Sequence, residues 1–344
     1  MSAQTILPKI QVPETLTVEE LISRAHFCAL PLRVRFRGIT TRELVLFDGP
    51  EGWGEWAPFL EYPPEEAAQW LRAAIESAYL PALPRMRETV ALNATVPAIN
   101  GEELDSLLAR YEGFSTFKIK VAEKGQKLSD DIARIKQVRA VYPSAVLRID
   151  ANTAWTPAEA LEAARAFGPL QYMEQPVATT EQFTELAALI AAANLPYPVR
   201  LAADESIRRA ADPLKVLATP AITNAVLKTA PLGGVRPTIA WMQKLSAAGK
   251  ELTIASALDS SVGMNAPLAA IACGPIESLP AGLSTGTLMA EDLTEPREII
   301  DGRMSTRPLA PEPERLESLR MPAIRKDWWI ERLRLSFSKM GTYA

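Results

Sequence analysis

The stretch Thr116-Phe117-Lys118-Ile119-Lys120 decides how the rest of this 344-residue chain is read. As a strand it alternates, so Lys118 and Lys120 point to one face, roughly 6.6 Å apart along the strand. Strands buried on both faces rarely carry two lysines that way. Working outward, four further apolar runs each end in a charged residue. Ala145-Val146-Leu147-Arg148-Ile149 ends in Asp150, Leu170-Gln171-Tyr172-Met173 in Glu174, Val199-Arg200-Leu201-Ala202-Ala203 in Asp204, and Ala225-Val226-Leu227 in Lys228. Turn residues and an alanine-rich helical pattern follow each run. The steps from 120 to 150, 174, 204 and 228 are 30, 24, 30 and 24 residues, one strand plus one helix apiece. That is the repeat of a βα barrel, whose active sites gather at the C-terminal strand ends.

Taking Asn93, Lys120, Asp150, Glu174, Asp204, Lys228, Ser256 and Ser284 as strand markers gives eight strands at steps of 24 to 30 residues, enough to close a barrel. The first strand reads at 90–96 and the last two at 252–256 and 281–285. No convincing eighth barrel helix follows Ser284. Upstream, a polar leader to about residue 25 precedes three β-runs at 27–35, 42–47 and 52–57. After Pro63-Pro64, apolar positions at Ala67, Trp70, Leu71, Ala74, Ile75 and Ala78 space out one buried helical face. The expected architecture is α/β, a modified TIM barrel of type (β/α)7β over 91–300. An α+β capping domain over 1–90 is completed by the tail, about 301–344, with Trp328-Trp329-Ile330.

Composition sets bounds on function. Net charge is −4, which leaves no electrostatic footprint for nucleic acid or an anionic membrane. Two cysteines, Cys28 and Cys273, cannot build a disulfide framework or a thiolate zinc site. Residues 1–11 lack the apolar segment of a secretory signal, and the uncharged stretch 260–276 is broken by Gly263, Pro267, Gly274 and Pro275. A soluble cytoplasmic protein is expected, with a small-molecule carboxylate as partner, no nucleic acid and no membrane. Monomer or homo-oligomer is left open. The single histidine, His26, falls in the cap, so histidine bases and His-ligated metals are excluded from the barrel. Gly233-Gly234 reads as a turn, with close approach to a phosphate the lesser alternative.

Three carboxylates brought together repel, and without a cation one of them is driven to take up a proton. All-oxygen ligation by Asp150, Glu174 and Asp204 would select Mg²⁺, or Mn²⁺, over zinc and leave positions for substrate oxygens. The alternative for any one of them is a helix N-cap. Lysines beside such a metal suit removal of a proton next to a carboxylate, because the metal stabilises the resulting anion. A lysine, with pKa about 10.4 when free, becomes a base when neighbouring positive charge lowers it. Lys118 beside Lys120 provides such charge, and Lys228 approaches from the opposite side of the mouth. Lys228 in an apolar run is also the setting of a Schiff-base lysine.

Lys118-x-Lys120, Asp150, Glu174-Gln175-Pro176, Asp204-Glu205-Ser206 and Lys228 together resemble the enolase superfamily in its muconate-lactonising branch, which is known for lysine bases working with Mg²⁺. Trp53-Gly54-Glu55-Trp56-Ala57-Pro58 looks like the cap loop that faces the active site in that branch. Asn93-Ala94-Thr95-Val96-Pro97, Ser256-Ala257-Leu258-Asp259-Ser260-Ser261-Val262-Gly263 and Gly282-Leu283-Ser284-Thr285 are similar to a menaquinone-pathway dehydratase family, in its actinobacterial form. The resemblance implies that Asp150, Glu174 and Asp204 bind Mg²⁺. It implies that Lys120 removes the proton and then assists departure of water from the same face, and that Lys228 steadies the anion from the other. Lys118 would tune Lys120 and touch the carboxylate, with Ser256, Ser284 and Thr285 contacting the rest of the substrate. The implied reaction is dehydration of 2-succinyl-6-hydroxy-2,4-cyclohexadiene-1-carboxylate. Racemisation of N-succinylamino acids or epimerisation of dipeptides is the sister reading. Gln175 departs from relatives that carry a second glutamate there.

Overall fold

The computed structural model describes Pro13 and residues 15–36, 38–208 and 213–340. The 1–11 stretch read for a leader lies outside them. The polar run that follows is not all leader. Thr17 accepts from the Glu20 N–H at 3.1 Å and opens helix α1 (Val18–Ser23), which buries Leu21. Strands β1 (Ala25–Phe36), β2 (Ile39–Gly49) and β3 (Gly52–Trp56) then form an antiparallel sheet. Helix α2 (Pro64–Tyr79), entered through Pro64, lays Trp70, Leu71, Ala74 and Ile75 against that sheet. The approach is so close that a Cβ on Gly54 would stand 1.9 Å from the Ala74 carbonyl oxygen, so only glycine fits there.

The barrel follows. Its strands are β5 (Ala94–Val96), β6 (Thr116–Lys120), β7 (Val146–Asp150), β8 (Tyr172–Glu174), β9 (Leu201–Ala203), β10 (Asn224–Leu227), β11 (Glu251–Ala255) and β12 (Leu279–Gly282), all parallel and in chain order around the sheet. Between them run α3 (Glu102–Leu108), α4 (Leu128–Val141), α5 (Pro157–Phe167), α6 (Thr180–Ala193), the pair α7 (Glu205–Arg208) and α8 (Pro213–Leu217), α9 (Val235–Ala247) and α10 (Asn265–Cys273). A parallel bridge from Leu92 to Ala281 and the bond from Asn93 N–H to the Ala281 carbonyl at 2.9 Å close the ring.

Two strand boundaries differ from the sequence reading. The run at 90–96 divides: β4 (Thr89–Ala91) leaves the barrel to pair with β14 (Arg303–Ser305), itself paired with β13 (Ile299–Ile300). The eighth strand lies at Leu279–Gly282, and Ser284 opens a 3₁₀ turn, Ser284–Leu288, where 281–285 was expected to be strand. Helices α11 (Pro313–Ser318) and α12 (Ala323–Lys339) end the chain. The tail packs into the cap's apolar core: Trp329 meets Trp56 edge-on at 5.2 Å, and its indole N–H donates to Glu43 Oε2 at 2.9 Å. Trp56, Trp70 and Trp329 are all buried. Indoles of this kind remove roughly 150–250 Å² each from water and dominate such a core.

The alternation of the barrel strands divides their side chains. Phe117, Ile119, Leu147, Ile149, Met173, Leu201 and Leu227 pack outward against the helices. Tyr172, Ala202, Val226, Ala255 and Leu279 fill the interior. The same parity sends Lys118, Lys120, Arg148, Asp150 and Glu174 inward.

Candidate active site

Register places the chemistry on one level. Lys120 lies opposite Asp150 across β6 and β7, Asp150 opposite Glu174 across β7 and β8, and Glu174 opposite Ala202 on β9. Asp204 and Lys228 each follow their strand end by one residue, with inward parity. Asp150, Glu174 and Asp204 are buried, while Lys118 and Lys228 keep 13% and 14% of their side-chain surface and Lys120 keeps 26%.

The side chains meet as ion pairs. Lys120 Nζ donates to Asp150 Oδ2 at 2.5 Å and to Asn152 Oδ1 at 2.8 Å. Lys118 Nζ bridges Asp150 Oδ2 at 3.3 Å and Glu174 Oε1 at 2.9 Å, and Lys228 Nζ is paired with Asp204 Oδ2. Burial opposes the charge on Lys118, but Glu174 and Asp150 outweigh it and hold the ammonium well above its ordinary pKa. Burial works against ionised Asp150 too, and there Lys120 and Lys118 prevail and push it down. For Glu174, burial and the Asp150 charge win, raising it to about 7. Its second oxygen, Oε2, is buried with no hydrogen-bond partner.

Asp150 and Glu174 are thus joined through Lys118, and Asp204 stands with Lys228. Among the described residues, no three carboxylate, histidine or cysteine side chains form a ready-made metal cage. The physical reason is that Asp150, Glu174 and Asp204 each direct an oxygen to a lysine. The donor set nevertheless suits a hard divalent cation. It is all oxygen, it is buried, and it includes a glutamate that is costly to ionise and has one oxygen unsatisfied.

The backbone around this level is bent into sparsely populated conformations. Ala122, Asn152, Thr153 and Gln175 have φ of +60°, +46°, +72° and +40°, all just beyond Lys120, Asp150 and Glu174. Left-handed non-glycine residues gather where function over-determines them. Two of these carry side-chain roles that the sequence reading did not assign. Asn152 links Lys120 to Glu205, its Nδ2 donating to Glu205 Oε1 at 3.3 Å. Gln175 is buried; its Oε1 accepts from the N–H groups of Asp204 at 3.0 Å and Ser206 at 3.1 Å, and its Nε2 donates to the Val177 carbonyl at 2.8 Å. It therefore fixes β9's end relative to β8's. The available signals were the Asp150-Ala151-Asn152 spacing and the glutamine directly after Glu174. Below the site, Arg148 plugs the barrel, bonding Asn93 Oδ1 at 3.0 Å and stacking over Tyr172.

The remaining expected substrate contacts are less directly placed. Ser256 Oγ accepts from the Leu258 and Asp259 N–H groups and closes a turn, and Ser284 Oγ donates to the Asn93 carbonyl at 3.0 Å across the barrel seam. Thr285 Oγ1 is buried without a hydrogen-bond partner.

Above the barrel, the cap reaches the β11–α10 loop through Glu55. Its carboxylate accepts from Ser260 N–H and Oγ, and a Cβ on Gly263 would stand 2.3 Å from Glu55 Oε1. Burial first and Asp259 second raise Glu55 to about 8, against the opposing effect of Arg42. Arg42 donates to the Leu258 carbonyl at 3.1 Å and to the Ala257 carbonyl at 3.3 Å.

Comparison with known proteins agrees with this fold. Residues 27–78 match the family model for an enolase N-terminal domain-like unit, and residues 102–311 match that for an enolase C-terminal domain-like unit. The muconate lactonizing enzyme from Pseudomonas fluorescens, solved with muconolactone, superposes with a TM-score of 0.70 at 22% identity, covering 87% of this chain and 98% of that one. An o-succinylbenzoate synthase from Mycolicibacterium smegmatis is 48% identical over 92% of this chain and 96% of its own. One from Mycobacterium leprae is 46% identical over 94% of each. The chain is a member of the enolase superfamily, with that superfamily's capped barrel. Within it, the chain belongs to the o-succinylbenzoate synthases, which are lyases. Superfamily members generally use a divalent metal. No helix among the described residues is long and apolar enough to cross a membrane.

Proposed function

We propose that this chain catalyses the Mg²⁺-dependent dehydration of 2-succinyl-6-hydroxy-2,4-cyclohexadiene-1-carboxylate to 2-succinylbenzoate, a step of menaquinone synthesis, in the cytoplasm. The observation that carries it is the arrangement of Lys120 and Lys228 on two sides of one carboxylate level, each paired with a different aspartate. Asp150, Glu174 and Asp204 would hold the cation. When bound, it would supply positive charge to the substrate carboxylate as the neighbouring proton leaves.

Lys120 has the reach and partners of the base. Besides Asp150, which would be one of the residues holding the cation, Lys120 Nζ has a neutral acceptor in Asn152 Oδ1, and that contact aims the amine. It takes the proton next to the substrate carboxylate and, as an ammonium, returns it to the departing hydroxyl on the same face. Lys228, on the opposite side of the carboxylate level, would act as an ammonium and steady the anion from that face. Lys118 holds a substrate carboxylate oxygen and keeps the site's charge positive near Lys120. Burial of all three carboxylates excludes water that would screen these interactions.

The test is a direct assay with the cyclohexadiene substrate beside an N-succinylamino acid, with and without Mg²⁺. Turnover of the first only with metal supports the reading. Turnover confined to the second, with deuterium uptake at its α-carbon in heavy water, would replace dehydration by racemisation.

A further inference from the structure

The barrel has seven crossover connections and no eighth helix, so the seam between β12 and β5 lacks the helix that covers every other seam. The 3₁₀ turn Ser284–Leu288 and the segment after it run there instead, and the Ala290 N–H is bonded to the Pro31 carbonyl of the cap at 2.8 Å. Beneath this segment lies a cavity of about 360 Å³. Small-molecule sites begin at roughly 300 Å³.

The cavity is separate from the barrel interior. Leu283, Met264 and Met304 among its lining residues belong to the outward-facing core between strands and helices, whereas Lys118, Lys120, Asp150 and Glu174 face inward. None of the six residues of the carboxylate–lysine site lines it; of the expected substrate contacts Ser284 does, with its Oγ turned to the Asn93 carbonyl at the barrel seam.

Its chemistry is two-sided. Leu283, Met264, Met289 and Met304 are a buried apolar floor, and thioethers adapt to flat rings. Arg33 from the cap, Arg110 after α3 and Arg297 stand around it, and none of these three forms an ion pair among the described residues. Arg33 and Arg297 spend donors only on neutral acceptors, the Met289, Ala290, Ser261 and Arg307 carbonyls and Asn265 Oδ1, and Asp292 is the acidic neighbour of Arg297 alone. Arg110 makes no side-chain hydrogen bond at all among the described residues. Of the two lining carboxylates, Asp292 is committed to the N–H and Oγ of Ser261, and Glu291 lies at the exposed rim. Arg315 is already paired with Glu312 at 2.7 Å.

We propose that this cavity binds a compact organic carboxylate with an apolar ring, seated on the methionine floor with its carboxylate on Arg110 and Arg33. A guanidinium with free donors takes a carboxylate in two parallel bonds, which a neutral analogue cannot form. Because Arg33 belongs to the cap and Arg110 to the barrel, the ligand joins the two.

The test uses the full chain with 1-naphthoate as probe and 1-naphthylmethanol as its neutral counterpart, followed by titration calorimetry and by steady-state turnover. Expected is one-to-one binding of naphthoate, at least tenfold weaker in Arg110→Met and lost in Thr287→Trp, an exposed lining position where the indole fills the space. Both variants keep turnover. Equal binding of the alcohol, unchanged affinity in Arg110→Met, competition with substrate, or no binding would each overturn the proposal. Should Thr287→Trp fold poorly, Arg110→Met at its exposed site decides alone.

Discussion

Lys120 and Asp150 lie directly opposite each other in the parallel register of β6 and β7, and their side chains are joined at 2.5 Å. The base proposed for the reaction and one proposed metal ligand therefore share a single contact, so a cation held by Asp150 would compete with the lysine for that carboxylate.

Replacing Lys120 by Ala should lower kcat by about 10²–10⁴-fold, the usual contribution of a positioned general base. The thermal transition with Mg²⁺ should stay within a few degrees of the parent, since Lys120 keeps solvent contact. Near-normal turnover would remove Lys120 from the mechanism.

Adding Mg²⁺ should stabilise the protein by mass action, by about 2.7 kcal/mol at a hundredfold excess over Kd. Glu174→Gln should abolish most of that increment while leaving the barrel folded, and chelator should stop turnover reversibly. An equal Mg²⁺ increment in the variant would argue against the carboxylate level as the metal site.

Gln175→Ala should cost about 1–3 kcal/mol, because it strips the acceptor from the buried Asp204 N–H and the half-buried Ser206 N–H. Asp204 would lose its anchor, so calorimetric Mg²⁺ affinity should weaken, and Gln175→Asn should not restore it because the shorter side chain cannot span the strands. A loss of stability with unchanged metal affinity would make Gln175 purely structural.

The Glu55 carboxylate gives a pH dependence of defined sign. Raised to about 8 in the fold by burial and by Asp259, it holds a proton that the unfolded chain releases near 4.3. Its contribution is therefore present at low pH and is lost as pH rises through 8. The slope stays below the limit of about 1.4 kcal/mol per pH unit, because Glu55 is partly exposed. Glu55→Gln should flatten melting temperature against pH between 5 and 8; parallel curves would show that Glu55 does not titrate in that range. Asp259 and Arg42 are the charged neighbours whose variants should shift the midpoint.

The barrel was readable in the sequence because five successive strands end in a charge and each charge recurs after one helix. Alternation and spacing are local properties, and they put Lys118 and Lys120 on one face and gathered them with Asp150, Glu174, Asp204 and Lys228 at the C-terminal strand ends. What spacing could not show is which lysine meets which carboxylate. Nor could it show that Asn152 and Gln175 adopt left-handed conformations to hold those partners, or that Glu55 crosses from the cap to the β11–α10 loop. It also misplaced both ends of the ring: Arg303–Ser305 draws β4 out of the barrel, and Ser284 turns where a strand was expected.

The order of residues by itself determined the kind of fold and the charged set at its mouth, since hydrophobic period and strand length are written within a few neighbouring positions. Only the folded chain decided the ion pairs, the clamp between two strand ends and the cavity over the uncovered seam. These depend on contacts between residues far apart in the chain, made at distances that one side chain's reach can satisfy or miss.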